Sequence, residues 1–201
     1  PKRDDLPSQL LEKRGFVAEA HCFEVRVPFG FKDRIRYEEA GRIDQFRLAS
    51  ENPVKVDVVE SLVNPHSEDN ILIIGTYLSQ LKQLSKDLDA PLITGSTPQS
   101  ARDHLFLKFR KGQIKRLVVS KVANFAIDLP DANVAIQVSG SFGSRQEEAQ
   151  RLGRILRPKE RNAFFYTIVT ADSREQDFAM KRQLFLTEQG YRYHIEEFAA
   201  K

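Results

Sequence analysis

The segment Ile71–Leu88, with the sequence ILIIGTYLSQLKQLSKDL, decides the fold class of this chain. Its first five residues form a short, continuously apolar run, which is typical of a strand buried on both faces. Apolar residues then recur at helical spacing, at Leu78, Leu81, Leu84 and Leu88. A buried strand followed at once by an amphipathic helix is the repeating unit of a parallel α/β sheet.

The same unit recurs along the rest of the chain. Further strands are predicted at 91–94, 117–120, 134–138 and 163–169, and further helices at 98–110 and 173–189. Gly190 stands just past the last predicted helix, where it would end that helix, and Tyr191–Phe198 alternates weakly like an edge strand. We therefore predict an α/β protein with a parallel sheet covered by helices on both faces.

The first 70 residues are less regular. Phe16–Val27 alternates apolar and polar residues like a strand, Phe31–Leu48 is predicted to be a helical linker, and Pro53–Val63 has helical apolar spacing. We assign residues 1–50 to a connector with a flanking strand and helix, and residues 51–201 to the main domain.

Composition restricts the class of protein. Hydrophobic residues make up 41% of the 201 residues, enough for one sizeable core, and the net charge of +3 permits but does not require nucleic-acid contact. Cys22 is the only cysteine and the four histidines lack metal-ligand spacing, so we predict neither a disulfide framework nor a metal site. No apolar run has transmembrane length, which predicts a cytoplasmic protein without a membrane partner.

Residues 145–158, with the sequence RQEEAQRLGRILRP, carry the strongest chemical signal. In a helix, Gln150, Arg154 and Arg157 share one face, and Gly153 beside them permits close backbone approach. Two guanidiniums one turn apart form a fork that suits phosphate oxygens. The alternative is a solvated basic helix with an apolar stripe, and the pattern alone leaves both open.

Two loops after predicted strands offer further phosphate contacts. In Gly95–Arg102, Gly95 frees the backbone, Ser96 and Thr97 supply hydroxyls, and a helix begins at Pro98. The alternative is that these hydroxyls only cap that helix and that Arg102 pairs with Asp103 or a neighbouring acid.

The second loop, Ser120–Pro130, directly follows the strand at 117–120 and contains Lys121 and Asp128. Its alternative is a structural loop in which Asp128 caps a turn before Leu129 and Pro130.

These stretches resemble the motifs of XPB-type (xeroderma pigmentosum group B) superfamily 2 helicases. Gln150–Arg157 is similar to motif VI, Ser120–Pro130 to motif V, Gly95–Arg102 to motif IVa, and Ile74–Thr76 to motif IV. The resemblance implies the second, C-terminal RecA-like lobe, in which Arg154 and Arg157 reach the phosphates of ATP. It assigns ATP contacts to Gln150, Gly153, Arg154, Arg157 and Asp128. It assigns DNA contacts to Gly75, Thr76, Gly95, Ser96, Thr97, Arg102, Ser120 and Lys121.

The resemblance also fixes expectations about cofactors and partners. The sequence has neither a P-loop nor an acidic magnesium box, so ATP and Mg²⁺ would be held mainly by an N-terminal lobe outside this chain, and this chain alone would be inactive. The expected partners are the DNA phosphate backbone, the N-terminal lobe and a repair nuclease. The expected location of the protein is the bacterial cytoplasm, in association with the nucleoid. The alternatives are a translocase that remodels without unwinding, and a non-catalytic scaffold lobe.

Overall fold

The computed structural model describes residues 20–120, 132–139, 162–188 and 190–198. Within them, seven strands form one sheet in the order β3-β4-β2-β5-β6-β1-β7. The strands are β1 (Ala20–Val27), β2 (Ile71–Gly75), β3 (Leu92–Ile93), β4 (Arg116–Ser120), β5 (Val134–Gln137), β6 (Ala163–Thr170) and β7 (Arg192–Glu197). Every neighbouring pair is parallel, so all seven strands end at the same edge of the sheet.

The described helices cover both faces of this sheet. They are α1 (Phe31–Glu39), α2 (Arg42–Ser50), α3 (Val54–Val63), α4 (Leu78–Asp87), α5 (Gln99–Arg110) and α6 (Arg174–Glu188). Helices α5 and α6 pack on one face through side chains such as Phe106, Phe109 and Leu186. Helices α3 and α4 pack on the other through Val59 and Leu81. The predicted α/β class, with a parallel sheet between two helical layers, is confirmed.

The ends of α5 and α6 show why these helices stop where they do. Gly112 and Gly190 follow them with φ of +68° and +86°, a conformation that costs glycine little. At Gly190, its N–H donates to Thr187 O at 3.0 Å and the next N–H donates to Leu186 O at 3.1 Å. This pair of bonds satisfies the last carbonyls of α6, and it confirms the predicted stop at Gly190.

The amino-terminal part of the chain differs from the predicted single helical linker. Residues 31–50 form two helices, and the chain breaks at Ala40 and Gly41 because both have extended backbone, with ψ of 152° and 165°. The strand before them, β1, lies inside the sheet between β6 and β7. The domain boundary at residue 50 stays a prediction. The described part of residues 1–50 nevertheless contributes β1, an interior strand of the sheet.

Two contacts fix where α1 lies. Arg34 Nη1 donates to Asp172 O at 2.8 Å, and Arg174 N donates to the hydroxyl of Tyr37 at 2.9 Å. Helix α1 therefore packs against the turn between β6 and α6, at the carboxyl edge of the sheet. None of the described helices has the length and apolar character needed to cross a bilayer.

Candidate functional site at the carboxyl edge of the sheet

The carboxyl edge brings together the described residues that the sequence analysis assigned to DNA contact. Gly75 ends β2 and pairs in register with Ser120 at the end of β4. Ile93 of β3 pairs with Val119, so the Gly95–Thr97 turn that follows β3 lies at the same edge. Ligands of open parallel sheets bind at this edge, which supports the choice of these positions.

Gly75 is where β2 leaves the sheet in a crowded space. A Cβ atom at this position would lie 2.8 Å from Leu81 Cδ2, 2.8 Å from Val138 Cγ2 and 3.1 Å from Ser139 Oγ. The next residue, Thr76, donates its backbone N–H to Ser139 Oγ at 2.7 Å. The missing side chain at Gly75 therefore lets the exits of β2 and β5 lie against each other.

The turn after β3 is closed by its own polar groups. Thr94 N donates to Thr97 Oγ1 at 2.9 Å and Thr97 N donates to Thr94 O at 3.2 Å, while the hydroxyls of Thr94 and Ser96 lie 2.9 Å apart. Pro98 is the N-cap of α5 and makes no side-chain cap bond. The hydroxyl of Thr97 is thus used within the turn, and the positive end of α5 lies beside it, as suits a phosphate.

Arg102 holds this turn together, and the alternative in which it pairs with Asp103 or a neighbouring acid is wrong. Its Nε donates to Thr97 O at 2.7 Å, and its Nη2 donates to Thr94 O at 3.0 Å and Gly95 O at 2.7 Å. Asp103 instead accepts a bond from Gln99 Nε2 at 2.9 Å. A planar guanidinium can reach three converging carbonyls, whereas one carboxylate would engage only part of the fork. A direct contact of Arg102 with DNA stays a prediction.

Ser120 and Gln137 are buried polar side chains near the ends of β4 and β5. Ser120 is 2% exposed and Gln137 is 1% exposed. Among the described residues, neither the hydroxyl of Ser120 nor the amide of Gln137 has a hydrogen-bond partner. An unused donor at Ser120 is compatible with the phosphate contact assigned to it, because buried polar groups rarely stay unpaired.

The remaining predicted site residues lie outside the described part of the chain. They are the ATP-contact residues Gln150, Gly153, Arg154, Arg157 and Asp128, together with Lys121 of the DNA group. Their assigned roles stay predictions.

A buried ion pair at the same edge was missed by the sequence analysis. Lys55 of α3 is fully buried, and its Nζ lies 2.7 Å from Glu175 Oε2 and donates to Val138 O at 3.0 Å. Burial lowers the pKa of the Lys55 ammonium, and the Glu175 carboxylate opposes that shift. One signal was available: Lys55 shares a helix face with Val58 and Val59, at spacings of three and four, so a charge had to lie on a buried face.

Comparison with solved structures identifies the fold. The C-terminal domain of the DEAD-box protein Dbp5 matches with a TM-score of 0.65 and 14% identity, covering 90% of this chain and 91% of that one. The C-terminal domain of the SWI2/SNF2 ATPase of Sulfolobus solfataricus matches with a TM-score of 0.58 and 13% identity, covering 85% of this chain and 87% of that one. The fold is that of the RecA-like C-terminal domains of helicases.

Sequence comparison narrows this class to a family. Residues 11–200 match the model of the ERCC3/RAD25/XPB C-terminal helicase family, and the chain belongs to that family. It is 54% identical over 197 residues to "DNA 3'-5' helicase XPB" of Kineococcus radiotolerans, covering 97% of this chain. It is 51% identical over 199 residues to the protein of the same name in Mycobacterium tuberculosis, covering 98% of this chain. The chain spans 35% and 36% of the length of these two relatives.

Proposed function

We propose that this chain is the C-terminal motor lobe of an ATP-dependent XPB-type DNA helicase that moves 3′ to 5′. The observation that carries the proposal is the family match over residues 11–200, joined by relatives above 50% identity that bear a helicase name. The yeast relative, at 36% identity, is named as a subunit of a general transcription and DNA repair factor. A role in DNA repair is part of the proposal, and a repair nuclease is a predicted partner.

In this proposal the described edge grips one DNA strand by its phosphates. The Gly95–Thr97 turn offers hydroxyls beside the positive end of α5, and Arg102 keeps the turn in one shape through three carbonyls. Donors of this kind recognise phosphate oxygens, not bases, so binding would be independent of DNA sequence. Gly75 and Thr76 lie at the neighbouring strand exit and would contact the same strand.

The chemistry of ATP hydrolysis would be shared with an N-terminal lobe of the parent protein. ATP with Mg²⁺ supplies the transferable phosphoryl group when bound there. Arg154 and Arg157 would donate hydrogen bonds to the phosphoryl oxygens across the cleft, where negative charge grows in the transition state. Cycles of closing and opening between the lobes would then move the protein along DNA, in the bacterial cytoplasm with the nucleoid.

Arginine substitutions in the parent protein test this proposal. We expect Arg154→Ala and Arg157→Ala each to lower kcat for ATP hydrolysis by about 10³-fold or more, because donors aimed at transition-state charge mainly lower the barrier. Binding of ATP and of DNA should change little. Steady-state turnover and equilibrium binding measure the two effects separately.

Arg151→Ala is the matched control, since Arg151 belongs to the same segment but, in the helix predicted there, would lie off the face shared by Gln150, Arg154 and Arg157. It should retain most of the turnover. Near-normal turnover of folded Arg154→Ala and Arg157→Ala proteins would contradict the proposed role and favour a solvated basic helix or a scaffold lobe.

A second candidate function is movement along DNA without strand separation. The names of the relatives in yeast and in Trypanosoma brucei, each 36% identical, include both helicase and translocase. The two activities use the same phosphate grip and differ in whether a duplex is opened. A strand-displacement assay with the parent protein separates them, because a translocase hydrolyses ATP on DNA yet releases no strand.

A further inference from the structure

Lys55 and Glu175 are the centre of a buried network at the carboxyl edge of the sheet, which we call the edge network. It consists of Ser50, Lys55, Val138, Thr170 and Glu175, all with 5% exposure or less. Glu175 Oε2 accepts from Lys55 Nζ at 2.7 Å and from Thr170 N at 2.9 Å, and Glu175 Oε1 accepts from Ser50 Oγ at 3.0 Å. Lys55 Nζ also donates to Val138 O at 3.0 Å.

The edge network ties together elements that are far apart in the sequence. Its members come from the end of α2, the first turn of α3, the exit of β5, the last residue of β6 and the first turn of α6. Asn52 extends it, since Asn52 Nδ2 donates to Pro28 O beyond β1 at 2.9 Å and lies 3.2 Å from Thr170 Oγ1. The carboxyl ends of β1, β5 and β6 are therefore held by one set of bonds.

Stability alone does not account for this arrangement. A buried ion pair loses much of its attraction to desolvation, and apolar residues of similar volume often serve the core as well or better. What an apolar pair cannot do is hydrogen-bond a carbonyl. The sheet ladder of β5 ends at Gln137, so the Val138 carbonyl lies past the last paired residue, and Lys55 gives it a donor. Val138 N donates to Ile74 O at 2.9 Å and the Lys55 ammonium donates to the Val138 carbonyl, so the two bonds together fix the direction in which the chain leaves β5.

That exit is bonded to the part of the candidate site that follows β2. Immediately after Val138, Ser139 Oγ accepts from Thr76 N at 2.7 Å, so the exit of β5 is bonded to the DNA-side residues after β2. In the sequence, Gln150, Arg154 and Arg157 follow Ser139 by eleven, fifteen and eighteen residues. The edge network therefore holds the last described residues that precede that segment in the sequence.

We propose that Lys55 and Glu175 are positioning residues for ATP hydrolysis, holding the exit of β5 so that the arginine-bearing segment starts in fixed register with the DNA-contact residues. This inference rests on the proposed function. Misplacement of a catalytic group by a distant change can lower turnover about 10²-fold without altering the reacting groups themselves. The edge network touches neither ATP nor DNA in this proposal and acts only through Val138 and Ser139.

The test uses the full-length parent protein with the double substitution Lys55→Met and Glu175→Gln. In the Gln side chain, the amide oxygen can replace Glu175 Oε2 and accept from Thr170 N, while the amide NH2 can donate to Ser50 Oγ. One positive and one negative buried charge are removed together, so the fold should be retained. Both bonds of Lys55 Nζ are lost, and the bond to Val138 O is the one that reaches the exit of β5. We expect DNA-stimulated kcat to fall by about 10²-fold, with KM for ATP and DNA affinity nearly unchanged. Amide hydrogen exchange at Thr76 should rise, because its partner Ser139 is no longer fixed.

Val59→Ala is the matched control for any loss of stability. Val59 is fully buried on α3, one turn from Lys55, and it belongs to the apolar cluster and not to the edge network. Each variant is assayed at an equal interval below its own Tm. Turnover retained in Val59→Ala but lost in the double variant supports the proposal. Equal turnover in the two variants, whether high or low, would overturn it.

The arginine variants described above separate this inference from the proposed function. If Arg154→Ala and Arg157→Ala lose turnover while the Lys55 and Glu175 double variant keeps it, the positioning role alone is wrong. If the arginine variants keep turnover, the proposed function fails first. In that case the positioning role in ATP hydrolysis is overturned together with the proposed function. Faster amide hydrogen exchange at Thr76 in the double variant would then show only that the edge network holds the strand exits.

Discussion

At the scale of single residues, Gly75 shows how the candidate site depends on an absent side chain. Leu81, Val138 and Ser139 converge on the space that a Cβ would occupy. The backbone conformation there is an ordinary strand end, so glycine is required by space and not by a positive φ. Close approach of the β2 and β5 exits is what allows Thr76 N to reach the hydroxyl of Ser139.

Gly75→Ala should therefore destabilise the chain by about 1–3 kcal/mol, the usual cost of overpacking a filled interior. The contacts at 2.8 Å are to Leu81 Cδ2 and Val138 Cγ2, and these side chains can move only by disturbing the core around them. Gly41→Ala is the control, because nothing lies within 4 Å of a Cβ at Gly41. Chemical denaturation measures both variants, and an equal change in the free energy of unfolding for both would contradict the crowding argument.

The hydrogen-bond partners of the site residues were harder to predict than the places of these residues in the fold. Gly95, Ser96, Thr97 and Arg102 could be chosen from the sequence because loops after parallel strands gather at one edge. The partners of Arg102 could not be predicted, because they are main-chain carbonyls. Every residue carries such a carbonyl, and no sequence pattern indicates which of them will be used. Lys55 was missed for a related reason: its partner Glu175 is 120 residues away and only the folded sheet brings them together.

At the scale of elements, the apolar runs predicted β2, β4, β5 and β6 well because these strands are buried on both faces and each carries its own signal. Strand order has no such local signal. The place of β1 between β6 and β7 joins segments more than 130 residues apart, and only long-range packing sets it. The break between α1 and α2 was also missed, since the charged sequence around Ala40 and Gly41 continues a helical composition across it.

The turn after β3 yields a prediction at this scale. Arg102→Met should loosen the Thr94–Thr97 turn and lower stability by about 1–3 kcal/mol, because charge-assisted bonds to three carbonyls are lost. The amides of Thr94 and Thr97, which bond within the turn, should exchange faster with solvent. Hydrogen exchange resolved by residue measures this effect.

Two further variants make that result specific. Arg102→Lys should rescue little, since an ammonium lacks the planar fork that spans the carbonyls. Arg110→Met, at the exposed other end of α5, should change stability by less than about 0.5 kcal/mol. Unchanged amide hydrogen exchange at Thr94 and Thr97 in Arg102→Met would show that Arg102 does not stabilise the turn. Its assignment to direct DNA contact would then gain support.

At the scale of the whole molecule, the described part of the chain is one sheet, and the described candidate site residues lie at its carboxyl edge. The edge supplies hydroxyls, backbone donors and a helix end, all of which suit phosphate oxygens. The sequence has neither a P-loop to cradle a triphosphate nor an acidic box to hold magnesium. Under the proposed function, nucleotide binding would therefore lie chiefly in an N-terminal lobe of the parent protein.

We therefore expect this chain alone to show no ATP hydrolysis, even with saturating single-stranded DNA. Arg154 and Arg157 can stabilise a developing charge only when a triphosphate is already held in line with them, and that holding depends on groups absent from this sequence. Steady-state phosphate release measures it, with the parent protein as the positive control. The same chain with Arg154→Ala and Arg157→Ala serves as the matched blank, because a contaminating ATPase would give equal rates in both preparations. Turnover that is present in the unaltered chain and lost in the arginine variant would show that the chain hydrolyses ATP by itself, and it would contradict the proposal that a second lobe is needed.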